Sequence, residues 1–417
     1  MAKPLTLPSA ATLPAVLLEQ AARQGRRVAL RHKHLGVWRE RSWAELTDEV
    51  GRLAAALAGL GLGPGQRLLA LTPPRPQTAL LSLAAHWLGA EVAALDPALP
   101  AEALSGLIAA AQPAVTLIDG PAQRAVTLAA LGEAAPVIYL DARREPQAGG
   151  PAGRAYAELL AGQAAPPALA ATPEQTAFRF FRWGEHGGLE TQALSHAFLL
   201  QEGGERVRTH GLSADERALA ARAFATAEQA RHLFAPWLLA GFSLNFPENL
   251  ATRDQDRREL GPTLVAGTRE TYGRLADDVA RRLPPPGHWQ RRLVDWALSG
   301  QGGAPGRALG YWLVRRPLLD VLGLIHTRHP LLLGPPLPAA QAEWLPGWGC
   351  VCMRCPMSRA GKRRLRRPRR RGRLSLLPEP EACPLNCCAC RIFLCRSKAS
   401  KPSPTSVLPS PRVKSAR

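Results

Sequence analysis

From Ser42 to Leu140 the chain alternates helix and strand signals one for one, and nothing else in the sequence constrains its fold as tightly. Ser42-Trp43-Ala44-Glu45 has the form of a capping box, in which the Ser hydroxyl and the Glu side chain satisfy free backbone N–H groups at a helix start. Leu46, Val50, Leu53, Leu57 and Leu60 then recur at steps of four and three, which predicts one apolar helix face ending at Gly61 and Gly63. Arg67 to Leu71 reads as a buried strand, Gln77 to Leu88 as a helix, and Glu91 to Leu95 as a strand. Ala101 to Ala111 reads as a helix, and Ala114 to Ile118 and Val137 to Leu140 as two further strands. Strands separated by single helices form βαβ units, so the expected class is α/β, doubly wound and mainly parallel, with flanking helices. Ligands on such sheets bind beyond the carboxyl ends of the strands.

The alternation resumes less regularly after an Ala-, Gly- and Pro-rich stretch, 142–175, that reads as a surface connection. Leu238 to Phe246 reads as a helix end followed by a strand, and 269–283 and 289–298 read as helices. Trp289 and Trp296 lie seven apart on one helix face and are expected in the core, with Arg291 and Arg292 solvated. The expected organisation is an α/β subdomain over residues 1–175, a second and incomplete one over 176–349, and a tail over 350–417. That tail holds all eight cysteines, and 18 of the 53 Lys and Arg residues against two of the 33 acids. The net charge of +20 therefore belongs mostly to the tail, and the body is nearly neutral. A cysteine-free body needs no oxidising compartment. Met1 to Thr6 lacks the apolar core of a signal peptide. The most apolar stretch, Thr78 to Leu95, is interrupted by His86 and Glu91, so a cytoplasmic protein without a spanning helix is expected.

Residues 12–120 resemble the opening of the AMP-forming acyl-CoA synthetases, the adenylate-forming ligase superfamily, in its long-chain fatty-acid branch. The resemblance rests on Ala29-Leu30-Arg31, on the run Gly36 to Glu45, and on Gly61-Leu62-Gly63-Pro64-Gly65-Gln66-Arg67. It continues through Leu239 to Phe246, Pro262 to Tyr272 and Trp289 to Leu298. It implies a protein that binds ATP with Mg²⁺, a fatty acid and coenzyme A, forming an acyl-adenylate and then an acyl thioester. Negative charge gathers on the phosphates in the transition state, so the chemistry calls for backbone N–H groups, hydroxyls and cations around them.

The family supplies these with a loop Tyr-Thr-Ser-Gly-Thr-Thr-Gly-x-Pro-Lys-Gly shortly before a Ser/Thr-His pair. Here the pair is Ser195-His196, and the loop's frame is the run Phe181 to Thr191. Gly184 and Gly187 stand where two loop glycines belong, and Gly188 adds freedom for a backbone nest. The resemblance thus assigns Gly184, Gly187, Gly188, Ser195 and His196 to nucleotide phosphate. His196 reads equally as a helix-start residue behind an N-capping Ser195. The hydroxyls are replaced by Arg182, Trp183, Glu185 and His186, and the lysine position holds Glu190. Reversing one charge turns an attraction of about 1–4 kcal/mol into repulsion unless Arg179 or Arg182 compensates. A histidine usual in the long-chain branch corresponds to Thr226. Little or no turnover is therefore expected; the alternative is a non-catalytic acyl- or nucleotide-binding remnant.

Leu332 to Leu337 stands where the family has Thr-Gly-Gly-Ala-Pro-Leu, but a Tyr-Gly-x-Thr-Glu motif does not follow; Cys350-Val351-Cys352-Met353-Arg354-Cys355 does. The ribose-binding Asp and the small C-terminal domain have no counterpart, so a truncated member with uncovered apolar surface and low solubility is expected. The abrupt switch reads as a shifted frame of a GC-rich gene. A genuine tail reads either as disordered, with its Arg run 362–371 touching nucleic acid or an anionic membrane non-specifically, or as a zinc module built on Cys352 and Cys355. A basic, Cys-rich RNA- or zinc-binding protein is the weakest alternative. Contact of the tail with anionic lipid would make the protein peripheral at the membrane.

Overall fold

The computed structural model describes residues 11–132, 136–140, 153–162, 164–184, 186–299 and 303–338, together with the backbone of 353–354. The basic run, the cysteines, Glu185 and the expected frame shift near residue 349 lie outside the described residues. Helix α1 (Leu13–Gln24) leads into an antiparallel hairpin, β1 (Val28–His34) and β2 (Val37–Ser42). Then follow α2 (Trp43–Gly59), β3 (Arg67–Leu71), α3 (Pro76–Trp87), β4 (Glu91–Ala94) and α4 (Ala101–Ala111). Next come β5 (Val115–Ile118), α5 (Pro121–Leu131), β6 (Val137–Tyr139), β7 (Gly153–Ala155) and α6 (Tyr156–Ala161). A second antiparallel hairpin, β8 (Thr176–Trp183) and β9 (Leu189–Ser195), runs into α7 (His196–His210). Beyond it lie β10 (Arg217–Leu219), α8 (227–240), β11 (Ser243–Phe246), α9 (Arg253–Leu260), β12 (Leu264–Thr268) and α10 (Arg269–Arg282). The described chain closes with α11 (Trp289–Ser299), α12 (304–321), β13 (His329–Leu333) and β14 (Met353–Arg354).

The strands form two seven-stranded sheets, ordered β14-β13-β12-β10-β11-β1-β2 and β7-β6-β5-β3-β4-β8-β9. Each is parallel except for the antiparallel strand on one edge, β2 or β9, so the doubly wound, mainly parallel expectation holds. Each sheet takes strands from both sides of residue 175: the first hairpin completes the later sheet, and the second completes the earlier one. The stretch 142–175 is more than a surface connection, because β7 extends the sheet edge and Tyr156 and Leu159 of α6 are buried. Tyr156 fixes α6 to α2 by donating to Glu49 Oε1 at 2.7 Å.

Alternation within β3 shows how the layers form. Leu68 and Ala70 face a core shared with α2, α3, α8 and the other sheet, while Leu69 and Leu71 face α4. Eleven of the twelve residues of α3 are buried, as in a helix enclosed on every side, which explains an apolar run long enough to resemble a membrane span. Among the described residues no helix is long and apolar enough to cross a membrane. Trp43 and Trp237 stack with centroids 5.4 Å apart, joining α2 to α8, and Trp237 Nε1 donates to the Ala29 carbonyl. Trp289, expected in the core, is 66% exposed, because α11 packs through Ala297 against the Cα of Gly310 on α12. Together with Leu293, Leu309, Trp312 and Leu313 it leaves apolar surface uncovered on α11 and α12.

The capping box is formed in full: Ser42 Oγ accepts from Glu45 N at 3.3 Å, and Glu45 Oε2 accepts from Ser42 N at 2.8 Å. Ser42→Ala is expected to lower the unfolding free energy by about 1 kcal/mol. A urea midpoint unchanged from the parent would show that α2 is held by its buried face alone.

Candidate functional site

Two places at the carboxyl ends of parallel strands have the composition of a ligand site. The first is the turn between β8 and β9. β8 runs parallel to β4, so its end, and the turn Gly184–Gly188 that follows, lie on the carboxyl side of that sheet. The turn is closed on itself: Gly184 N donates to the Gly188 carbonyl at 2.8 Å, and Gly187 N to the Gly184 carbonyl at 3.0 Å. Gly187 sits at φ +72°, a conformation that favours glycine. Two amides that an anion-binding nest would present are therefore used inside the turn.

Glu190 lies opposite Arg182 in the hairpin register, and the two form an ion pair at 2.6 Å. A Cβ placed on Gly184 would meet Glu190 Oε1 at 2.7 Å, so the carboxylate folds over the turn. Arg182, and not Arg179, answers the reversed charge; Arg179 is engaged by both Glu91 oxygens at 2.8 and 2.9 Å. Both side chains of the Arg182–Glu190 pair are exposed, so it is worth at most about 1 kcal/mol. Its consequence is chemical: an anion and its own counter-ion lie over the turn. As folded, the turn does not fit a triphosphate.

Ser195 and His196 lie at the far end of β9, on the amino side of the same sheet. A seven-residue strand places them about 20 Å from the turn. Ser195 is the N-cap of α7, its hydroxyl accepting from Phe198 N at 3.2 Å. His196 is fully buried, and its Nδ1 accepts from Leu13 N at 3.3 Å, which secures the start of α1. Burial lowers its pKa to about 4, so the ring is neutral near pH 7. Its centroid is 5.1 Å from that of His86, which is itself buried and held through Nε2 on the Ala177 carbonyl. Thr226, at the position of the family's histidine, caps α8 by accepting from Gln229 N. The structure thus places the Ser-His pair in the scaffold and separates it from the glycines with which it was grouped.

The second place is a cleft of about 210 Å³ beyond the ends of β10 and β12, which motif reading missed. Leu219, Val265 and Ala266 line its floor, and Arg222, Arg253, Arg257 and Arg274 line its walls with Glu270 and Thr271. The signal was present in the helix starts. Arg253 and Arg269 are the first residues of α9 and α10, where the helix dipole disfavours a cation, but this becomes visible only once the strand ends are known. Among the described residues no group of three or more His, Cys, Asp or Glu side chains is arranged to hold a metal ion.

This two-sheet architecture is shared with solved structures. MatB from Rhodopseudomonas palustris superposes with a TM-score of 0.60 at 20% identity, over 83% of this chain and 59% of that one. The anthranilate CoA ligase AuaEII, in complex with anthranoyl-AMP, superposes at 0.59 with 15% identity, over 84% of this chain and 59% of that one. VinN gives 0.56 at 16% identity over 66% of each chain. The chain therefore spans roughly two thirds or less of the length of these relatives, and at such identities the likeness is one of fold. No curated protein sequence matches the chain. The sequence profile of the AMP-binding enzymes matches residues 17–351, most of the chain, and on that match the chain belongs to the family of AMP-binding enzymes.

Proposed function

We propose that the chain is a long-chain acyl-CoA synthetase-like protein in which formation of the acyl-adenylate is lost or very slow. The observation that carries this reading is the ion pair of Arg182 with Glu190 over a turn whose amides bond to each other. Gly184, Gly187 and Gly188 are then the remnant of a phosphate loop. Arg182 is tied to Glu190 instead of accompanying the charge that builds on a transferring phosphoryl group, and no Ser or Thr stands between Phe181 and Glu190 to replace it. Removing a single preorganised donor of this kind typically costs 10²–10³ in kcat, and here several are absent together. The family supplies the long-chain fatty acid, ATP, Mg²⁺ and coenzyme A as the ligands to test, and no reaction step is assigned to them in this chain.

The experiment is ATP–pyrophosphate exchange dependent on a long-chain fatty acid, run at high protein concentration. The expected result is exchange at least about 10³-fold below that of a ligase with an intact loop. Exchange at an ordinary ligase rate would overturn the reading. Binding of the fatty acid without exchange would identify the protein as an acyl-binding member of the fold.

A further inference from the structure

The arginine cleft is electrostatically unfinished. Arg257 is nearly buried, donates from Nε to the Leu322 carbonyl at 2.7 Å, and meets Asp254 at 2.9 Å. Arg274 grips both oxygens of the same Asp254. Arg222 donates to Thr268 Oγ1 at 3.1 Å and to Glu270 at 3.2 Å. Among the described residues four guanidinium groups line the cleft itself, and the carboxylates paired with them there are two, Asp254 and Glu270. Arg253 has no carboxylate of its own, and its Nε is buried without a hydrogen-bond partner among the described residues. Burial and the charges of Arg274 and Arg222 all push its pKa below the usual arginine value, with Asp254 pulling the other way.

A buried donor left unpaired is destabilising, and like charges gathered in a cleft add to that. A cluster that bears such a cost at the carboxyl ends of β10 and β12, where this class of sheet binds ligands, is built for an anion. Guanidinium groups pair with phosphate through two parallel N–H donors, and several of them match its tetrahedral oxygens. The cleft is small for a whole cofactor, but Glu270 and Arg274 also line a neighbouring groove of about 350 Å³ along α10, whose other charged residues are Arg269, Asp277 and Arg281.

We propose that this cleft binds a phosphate group, carried by a small phosphorylated molecule or a nucleotide, with Arg253 as the principal contact and Arg222 and Arg274 beside it. The site is separate from the β8–β9 turn, and the proposal stands whether or not the protein catalyses exchange.

The test uses the full chain, with inorganic phosphate and AMP as probes and chloride at matched ionic strength as control. Phosphate is expected to raise Tm above the chloride control and to protect Arg253 and Arg222 from phenylglyoxal, read residue by residue by mass spectrometry. That readout separates the cleft from non-specific binding by the basic tail. Arg253→Gln is expected to weaken binding at least tenfold and, by removing a repelled charge, to raise Tm in phosphate-free buffer. Tighter binding of AMP than of phosphate identifies a nucleotide; the reverse identifies a small phosphorylated molecule. Equal protection by chloride, or unchanged affinity in Arg253→Gln, would overturn the site. A lower Tm of Arg253→Gln without phosphate would show the arginine to be structural. Footprinting of the parent protein decides the matter even if that variant does not fold.

Discussion

Lowering the pH from 7 to 5 is expected to remove at least about 6 kcal/mol of stability from the folded chain. Three histidines carry most of the effect. Burial lowers the pKa of His196 and of His32 to about 4, and that of His232 to about 3. For His32 the charges of Arg75, His34 and Arg41 add to burial, and for His232 those of Arg206, Arg231 and His210 do so. In the unfolded chain each titrates near 6.5. Below that value the unfolded state takes up protons that the folded state refuses, so stability is complete above pH 7 and lost as the pH falls from 6.5 towards 4. At pH 5 the loss is about 2 kcal/mol per histidine. His86, fully buried and lowered by burial and by His196, acts in the same direction. Domains of this kind are stable by only about 5–15 kcal/mol, so the sum is decisive.

Ion-paired carboxylates act in a different window. Burial works against the charge of Glu91, but Arg179 and Arg67 outweigh it, and Arg231 and Arg206 do the same for Glu202, so both pKa values lie below the usual carboxylate value. Their stabilisation persists down to about pH 4.5 and is lost below it. Urea unfolding at pH 7, 6 and 5 therefore isolates the histidines. His232→Leu should flatten the slope by up to about 1.4 kcal/mol per pH unit. Equal stability at pH 7 and pH 5 would mean that these rings reach solvent in the folded protein.

The elements of the first parallel sheet were legible because their signals are local. Ser42 caps α2 and Ala101–Ala111 is a helix, both at the positions read from spacing and turn residues. What was illegible is which sheet a strand joins. Nothing in β1 indicates that Leu30 pairs with Leu244, more than 200 residues away, and nothing in β8 that Phe178 pairs with Val92. Strand order in a parallel sheet is set by where helices pack, not by the strand's own periodicity. Trp289 was misplaced for a related reason: seven-residue spacing identifies a helix face but not whether anything covers it.

The candidate site divides along the same line. The charges of the β8–β9 turn were legible residue by residue, because Arg182 and Glu190 are close in sequence. The arginine cleft was not, since Arg222, Arg253, Arg257 and Arg274 come from a loop and two helices and converge only in the fold. His196 shows the limit of a motif: the residue is where the pair requires it, yet its ring is enclosed and holds α1.

The helix that supplies Arg253 and Arg257 is anchored by a buried ion pair, and breaking it is expected to cost about 3–5 kcal/mol. Lys33 on β1 is 5% exposed and places Nζ 2.9 Å from Oδ1 of Asp256 on α9, which is fully buried. Burial works against the ammonium's charge, but hydrogen bonds to Glu259 and Asp256 outweigh it and hold the pKa above the usual lysine value. The other Asp256 oxygen accepts from Glu248 N at 2.9 Å and from Thr252 Oγ1 at 2.8 Å, so the carboxylate also orders the approach to α9. Lys33→Met keeps the apolar stem and leaves Asp256 charged, buried and short of its counter-ion. Adding Asp256→Asn removes the stranded charge while keeping an oxygen for Glu248 N, and should recover at least half of the loss. Urea unfolding of the two variants measures both steps. A single variant within 1 kcal/mol of the parent, a bound typical of exposed pairs, would show that water reaches Asp256. In that case α9, and the arginine cleft it walls, would have to be held mainly by Leu260 and by the grip of Arg257 on Leu322.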